Sequence, residues 1–381
     1  MTEKLPPPHE PLQSRRTFVR NMTLGAALLG SGAAGALAAE LDEATKGGER
    51  KLGVVLMGLG LYSRGQLAPA LRKTKLCRFA GVVTGSHAKG AKWSRKYGFP
   101  EKNIWNYDNI HEMAGNSEVD VIYVVTPNGL HAEHTIKAAG AGKHVICEKP
   151  MANSVADCDA MIAACAKANV RLSIGYRLQF DPHHIELDRL ARERDFGLLT
   201  RMSGVHSWML TERAWRIEKS LSGGGPLMDV GIYVVQAACR GAMGQPVAIT
   251  ARELPKTNPT LFNEVEETIE WTMEFPGGVA CEGSSSYARE GNRFRAEGPR
   301  GWIQIEPAFG YGGLEVTTSR GPLRIPQVPQ QSLQMNDFAS CILTGRESPV
   351  PGQMGRDHMA IIEAIYRSAA KDGRRVEVGR A

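Results

Sequence analysis

From Lys51 onward, short apolar runs alternate with stretches of helical spacing. Leu52 to Met57, Phe79 to Thr84, Val119 to Thr126, His144 to Cys147 and Arg171 to Ile174 are rich in Val and Ile, and segments such as Leu130 to Ala141 and Val155 to Ala168 lie between them. Continuous apolar strands alternating with helices predict a parallel sheet covered on both faces. After about Tyr176 the pattern changes. Strict alternation appears in Ile269-Glu270-Trp271-Thr272-Met273-Glu274-Phe275, with further strand-like pieces at Leu199 to Ser207, Val247 to Leu254, Val279 to Tyr287 and Trp302 to Glu306. Period two predicts a sheet with one buried and one wet face. Helices are expected at the start of this region and at Asp337 to Leu343 and Arg356 to Ala370. Trp271 and Trp302 read as core or interface aromatics, and no internal repeat is present.

The chain before Lys51 is of another kind. Ser14-Arg15-Arg16-Thr17-Phe18-Val19-Arg20 precedes an apolar, Gly- and Ala-rich run from Met22 to Ala38 that ends in Ala36-Leu37-Ala38. A twin-arginine pair, this run and a small-residue cleavage pattern predict an export signal over 1–38, the twin-arginine machinery as a partner and a periplasmic destination. A polar linker follows over 39–50. The run is too rich in Gly for a permanent membrane span, and nothing else reaches the length of one. Seven scattered cysteines with no C-x-x-C argue against a disulfide framework, which suits folding in a reducing compartment before transport. The net charge of +6 has no basic block behind it, so nucleic acid is not an expected partner.

Candidate chemistry begins where Leu52 to Met57 runs into Gly58-Leu59-Gly60-Leu61-Tyr62-Ser63. Glycines between a strand end and a helix start let backbone amides meet a pyrophosphate, with Ser63 standing where a third glycine is usual. The fold class is therefore α/β: an N-terminal Rossmann-type parallel-sheet domain over 51–175, then an α+β domain over 176–378 with a large, mostly antiparallel open sheet. The second strand ends in Thr84-Gly85-Ser86-His87, without the carboxylate that accepts bonds from the ribose hydroxyls of NAD. Ser86, Lys89, Lys92 and Arg64 are candidate donors to a 2′-phosphate, which favours NADP. The alternative for Lys89 and Lys92 is a plain exposed helix face.

Cys147-Glu148-Lys149-Pro150 closes a strand of the parallel sheet, which places Lys149 beside a reacting carbon; its bond to Pro150 could be cis. Ser222-Gly223-Gly224-Gly225-Pro226 then feeds a helix in which Asp229 and Tyr233 stand four apart on one face. A tyrosine whose pKa is lowered by an adjacent ammonium can take a hydroxyl proton during hydride transfer, with Asp229 orienting substrate and Lys149. Singly, Tyr233 reads as a packed helix tyrosine and Asp229 as a helix-start acid; their company with Lys149 reverses that. His131-Ala132-Glu133-His134 lacks the Pro-Cys-x-x-Cys partner of zinc deaminases, and no metal is expected. His183-His184 reads as a helix start, capping or solvated.

The chain resembles the Gfo/Idh/MocA oxidoreductases, and among them the glucose-fructose and aldose-aldose oxidoreductases, over about Lys51 to Val378. The resemblance rests on Gly58 to Ser63, Thr126-Pro127-Asn128-Gly129-Leu130-His131, Cys147-Glu148-Lys149-Pro150-Met151-Ala152, Ile174-Gly175-Tyr176-Arg177, Trp215-Arg216 and Gly223 to Tyr233. It implies a tightly held NADP, oxidation of an aldose at its C1 hydroxyl to a lactone, and return of the hydride to a second sugar as an alditol. It further implies Tyr233 as acid/base, Lys149 assisting and Asp229 positioning substrate. Cofactor contacts are implied for Pro127, Asn128, His131, Glu148, Arg177, Trp215, Arg216 and Tyr311, beside Gly58, Leu59, Gly60, Leu61, Tyr62, Ser63, Arg64, Gly85, Ser86, Lys89 and Lys149. Export fits this picture, because a cofactor with no pool outside the cytoplasm has to travel inside the enzyme and be recycled there. The dozen residues between the expected cleavage point and the first strand make a shorter arm than the one that covers the cofactor in the glucose-fructose enzymes. An oligomer through the open sheet is the expected assembly. The competing readings are a sugar dehydrogenase with exchangeable NADP and a non-catalytic NADP-binding protein.

Overall fold

The computed structural model describes residues 50–379. The expected export signal and all but the last residue of the linker lie outside the described residues.

The first sheet has six strands, β1 (Leu52–Met57), β2 (Cys77–Val83), β3 (Ile104–Trp105), β4 (Val121–Val124), β5 (His144–Cys147) and β6 (Leu172–Ile174), in the order β3-β2-β1-β4-β5-β6. Every pairing is parallel. The order reverses between β1 and its neighbours β2 and β4, and Met57 is level with both Val83 and Val124. Their carboxyl ends thus open one crevice at the switch point, where such sheets bind ligands. β3 escaped the sequence pattern because two residues are too short to show a period.

One face of this sheet packs against a helix from far along the chain, Gln330–Thr344. Its Met335, Phe338 and Ala339 join Leu52, Val54, Leu56, Tyr123 and Ile146 in one cluster; burial of Phe338 alone contributes about 1.5–3 kcal/mol. This helix starts seven residues before the expected Asp337, and the reason is chemical. Its first turns carry Gln330, Gln331, Ser332, Gln334 and Asn336, all buried, in a stretch whose polarity hides a core helix. The Ser332 hydroxyl donates to the Ala70 carbonyl at 2.8 Å, and Asn336 Oδ1 accepts from the Lys75 and Leu76 amides at 2.9 and 3.1 Å.

The second sheet has nine strands, β7 (Arg201–Ser207), β8 (Ala248–Glu253), β9 (Thr268–Glu274), β10 (Ala280–Ser286), β11 (Gly291–Gly298), β12 (Gly301–Ile305), β13 (Val316–Thr318), β14 (Gly321–Leu323) and β15 (Val376–Glu377). The order is β14-β13-β12-β11-β7-β10-β9-β8-β15, antiparallel except where β7 runs parallel to β10. Alternation decides the faces. Ile269, Trp271 and Met273 are buried, whereas Glu270 pairs with Arg289 and Glu274 with Arg375 on the other side. That outer face also carries Arg201–Glu282 at 2.7 Å and Trp302 under the Arg295 guanidinium at 4.0 Å. Trp271 is therefore a core residue and Trp302 a surface one. β11 was hidden by its charges, with Phe294 and Ala296 buried between arginines and glutamate. Helix Gly352–Ala369 packs on β6, β8 and helix Val155–Lys167, so one core runs through both sheets.

Candidate active site

The glycine turn after β1 is closed by its own side chain, because the Ser63 hydroxyl donates to the Gly58 carbonyl at 2.5 Å. Gly58 has φ +102°, and a Cβ there would stand 2.8 Å from the Val125 carbonyl oxygen. A Cβ on Gly60 would meet nothing within 4 Å. That open space borders a helix start whose first amides have no intrahelical acceptor, so the turn fits a pyrophosphate. After β2, the Ser86 hydroxyl accepts from the Lys89 amide at 3.3 Å and caps helix His87–Tyr97. Gly85, Ser86, Lys89 and Arg64 are exposed beside the crevice, and Lys92 is exposed on the same helix as Lys89.

The segments after β4 and β5 are locked together by side chains. Asn128 Nδ2 donates to the Ser222 carbonyl at 2.9 Å, which ties the loop after Pro127 to the glycine-rich loop. His131 is buried, with Nδ1 and Nε2 each 2.9 Å from a main-chain carbonyl, those of Pro150 and Thr126. Burial lowers its pKa to about 4. This corrects the expected cofactor contact, because both ring nitrogens already face the protein and the residue fixes the loops instead. Lys149–Pro150 is cis. Glu148 is buried as well; Tyr123 donates to it at 2.7 Å and the Lys149 amide at 3.2 Å. Burial raises its pKa, with the Tyr123 bond opposing.

Lys149 and Asp229 meet through the main chain of the aspartate. Lys149 Nζ donates to the main-chain carbonyl of Asp229 at 2.7 Å and lies 4.8 Å from the centre of the Tyr233 ring. The Asp229 carboxylate is held through Oδ2 alone, by Arg216 Nε at 3.1 Å, Trp208 Nε1 at 3.3 Å and the Tyr287 hydroxyl at 3.1 Å. Burial pushes its pKa up, but Arg216, Lys149 and the Tyr287 bond prevail and keep it low, hence ionised. Arg216 thus anchors Asp229, with Trp215 stacked 4.7 Å from its guanidinium. Asp229 sits in a π-helical turn, Leu227–Gly231, and Tyr233 in the α-helix that continues it, Ile232–Gly241.

Tyr233 is buried, and its pKa is raised by that burial, with Arg177 opposing. The lowering expected from an adjacent ammonium is not seen, because Lys149 lies over the ring face and burial outweighs the nearest guanidinium. Arg177 stands 5.0 Å from the Tyr233 ring centre and 4.4 Å from that of Tyr311. It donates to the Phe309 and Gly310 carbonyls at 2.7 and 2.8 Å and to Gln330 Oε1. Gln330 then donates to Asp181 at 2.6 Å, and Asp181 pairs with His183 Nδ1 at 2.9 Å. Gln327 grips the far end of the same loop through Gly313 N and Leu314 O. His183 and its neighbour His184, which is 2.8 Å from the Ala308 carbonyl, are therefore buried supports rather than solvated. The loop so clamped presents Tyr311, half-exposed, 5.7 Å from the ring of Tyr62 in the glycine turn.

Trp208, Tyr287, Phe309 and His206 were missed by sequence reasoning. The first three come from distant strands and loops and carry no local signal. His206 had one: it shares the core face of β7 with Met202 and Gly204, where an apolar residue is the rule. Among the described residues, no cluster of three or more His, Cys, Asp or Glu could hold a metal, no helix is long and apolar enough to cross a membrane, and the seven cysteines are buried and unpaired.

Residues 52–176 match a model described as an oxidoreductase family with an NAD-binding Rossmann fold, and residues 184–304 match the GFO/IDH/MocA C-terminal domain. The crystal structure of an aldose-aldose oxidoreductase from Caulobacter crescentus, complexed with glycerol, is 40% identical with a TM-score of 0.83, over 86% of this chain and 100% of that one. D-xylose 1-dehydrogenase [NADP(+)] from Haloarcula marismortui is 26% identical, over 82% of this chain and 90% of its own length. An oxidoreductase domain protein from Kribbella flavida, 19% identical over 87% of this chain and 100% of its own, shares the fold with a TM-score of 0.75.

Proposed function

Because the chain belongs to the Gfo/Idh/MocA oxidoreductase family, we propose that it is an NADP-containing sugar oxidoreductase of the aldose-aldose type. It oxidises an aldose to its lactone and reduces a second aldose or ketose to an alditol without exchanging cofactor. The observation that carries this reading is the meeting of part-buried Lys149 and Asp229 with buried Tyr233 and Arg177 at the crevice that also holds the glycine turn. NADP is supported by the absence of a carboxylate after β2, by Ser86 in its place, and by the printed cofactor of the xylose dehydrogenase relative.

When bound, the dinucleotide supplies a hydride acceptor for one sugar and a hydride donor for the next. Tyr233 takes the C1 hydroxyl proton in the first half-reaction and returns a proton in the second. Its raised pKa keeps the resting phenol protonated, and the Arg177 charge eases its ionisation. Lys149 is pinned by the Asp229 carbonyl over the Tyr233 ring. Asp229 spends Oδ2 on three protein donors, leaving Oδ1 without a protein partner and free to orient a sugar hydroxyl. Retention is supported by Tyr311, which crosses from the second domain to Tyr62 and joins the two domains beside the glycine turn.

The twin-arginine sequence supports a periplasmic destination for this enzyme, with export as a folded protein that carries its NADP. An oligomer through the open sheet would join polar surfaces, given the ion pairs on that face.

The test is product stoichiometry. Protein passed through gel filtration should retain NADP and, given mixed aldoses with no added cofactor, yield lactone and alditol in equal amounts. Protein that emerges without nucleotide, and makes lactone only against stoichiometric NADP, would instead be a simple sugar dehydrogenase.

A further inference from the structure

His206 has no part in the roles assigned so far, yet it lies inside the same constellation. From the core face of β7 its ring stacks 4.9 Å from Phe309 and lies 5.4 Å from the ring of Tyr233. A purely apolar contact of this kind would be served as well by phenylalanine. His206 instead carries a buried Nδ1 with no hydrogen-bond partner, while the ring as a whole keeps some exposure. Unpaired buried polar atoms are rare in folded proteins and call for a partner. Its charged neighbours are already engaged: Lys149 donates to Asp229 O, Asp229 Oδ2 accepts from three donors, and Arg177 donates to two carbonyls and Gln330.

The structure assigns His206 a substrate-binding role: its imidazole hydrogen-bonds a hydroxyl of the sugar held by Lys149, Asp229 and Tyr233. The assignment rests on the sugar oxidoreductase reading above. Its chemistry suits that class of ligand. Burial beside Lys149 and Arg177 lowers the ring's pKa to about 3, so it is neutral, with one N–H donor and one lone pair. The Val230 backbone is within hydrogen-bond reach of the ring, and a sugar hydroxyl, which both donates and accepts and carries no charge, can meet the nitrogen that remains.

The experiment compares wild type, His206→Phe and His206→Asn as holoenzymes, following reduction of the bound cofactor while the aldose concentration is varied. His206→Phe preserves the stack on Phe309 and Tyr233. It should raise KM by about tenfold, the worth of roughly one hydrogen bond, with kcat within a few-fold, NADP retained and no fall in Tm. His206→Asn, which restores a donor and an acceptor, should recover part of the KM. An unchanged KM in the Phe variant, or a loss confined to kcat, overturns the assignment while leaving the sugar reaction standing. A wild-type protein whose bound NADP is reduced by no aldose overturns the functional reading and this inference together.

Discussion

The two walls of the crevice are built on opposite plans. The nucleotide wall is made of neighbours in sequence, Gly58 to Ser63 and Gly85 to Lys89, and its work falls to main-chain amides and exposed side chains. The sugar wall gathers Lys149, Arg177, His206, Asp229, Tyr233, Tyr287 and the loop at Phe309 from separate elements, and locks them by side-chain bonds in a buried to half-buried setting. A wall made of local backbone can be altered without disturbing the fold. A wall of interlocked charges has its electrostatics fixed by burial, which is why Tyr233 departs upward from ordinary tyrosine behaviour.

The sharpest break in the comparison is Tyr233→Phe. The variant keeps the ring beneath Lys149, Arg177 and His206 and removes only the hydroxyl. Reduction of bound cofactor by sugar should slow by about a thousandfold, within the 10²–10⁴ range of general acid–base catalysis, while NADP stays bound. Wild-type turnover would take the acid/base role away. The pH dependence follows from the sign of the shift. A base with a raised pKa is protonated at neutrality, so the wild-type oxidation rate should climb through the alkaline range and still be climbing at the ordinary tyrosine pKa. Stopped-flow traces of the Phe variant should lack that climb.

The nucleotide wall has its own internal contrast, smaller in effect. Gly60→Ala places a methyl group in open space. The thermal melt of the nucleotide-free protein should therefore be unchanged, while NADP binds about 10–100-fold more weakly because the cofactor must be displaced from the turn. Gly58→Ala should do the reverse first, lowering stability by about 1–2 kcal/mol from its positive φ alone, with a contact to Val125 O added. If Gly60→Ala unfolds the protein and binds NADP normally, the open space is not the cofactor's.

The same contrast explains what could be read from the chain. The parallel sheet, the glycine turn and the Lys149, Asp229 and Tyr233 set were legible, because strand–turn–helix chemistry is local and apolar runs of four to seven residues stand out. The supports were not. Gln330, Gln334 and Asn336 look like a polar helix face until Arg177, Tyr123 and the Lys75 amide arrive to bond them. His131 looks like a ligand contact until the Pro150 and Thr126 carbonyls take both nitrogens. Asp229 was expected to orient Lys149, and the atom through which it does so, its main-chain carbonyl, could not be read from the chain. These partners lie far apart in sequence, and burial, which decides the direction of each pKa, belongs to the tertiary structure.

Ser86→Asp is the mildest test, and it bears on the plainest property of the nucleotide wall. Ser86 caps helix His87–Tyr97 by accepting from the Lys89 amide, and aspartate caps a helix as well as serine does. Its charge at a helix N-terminus is also favourable, so the fold should tolerate the change with Tm unaltered. What changes is the charge beside the expected 2′-phosphate. Two like charges a few ångströms apart at an exposed site repel by about 1 kcal/mol, so the affinity ratio of NADP to NAD should fall by roughly five- to tenfold. Salt should restore part of the ratio, because exposed charges are screened. A ratio that stays constant at low and high ionic strength would place the phosphate away from Ser86, and discrimination would then have to come from Arg64 or the lysines of the same helix.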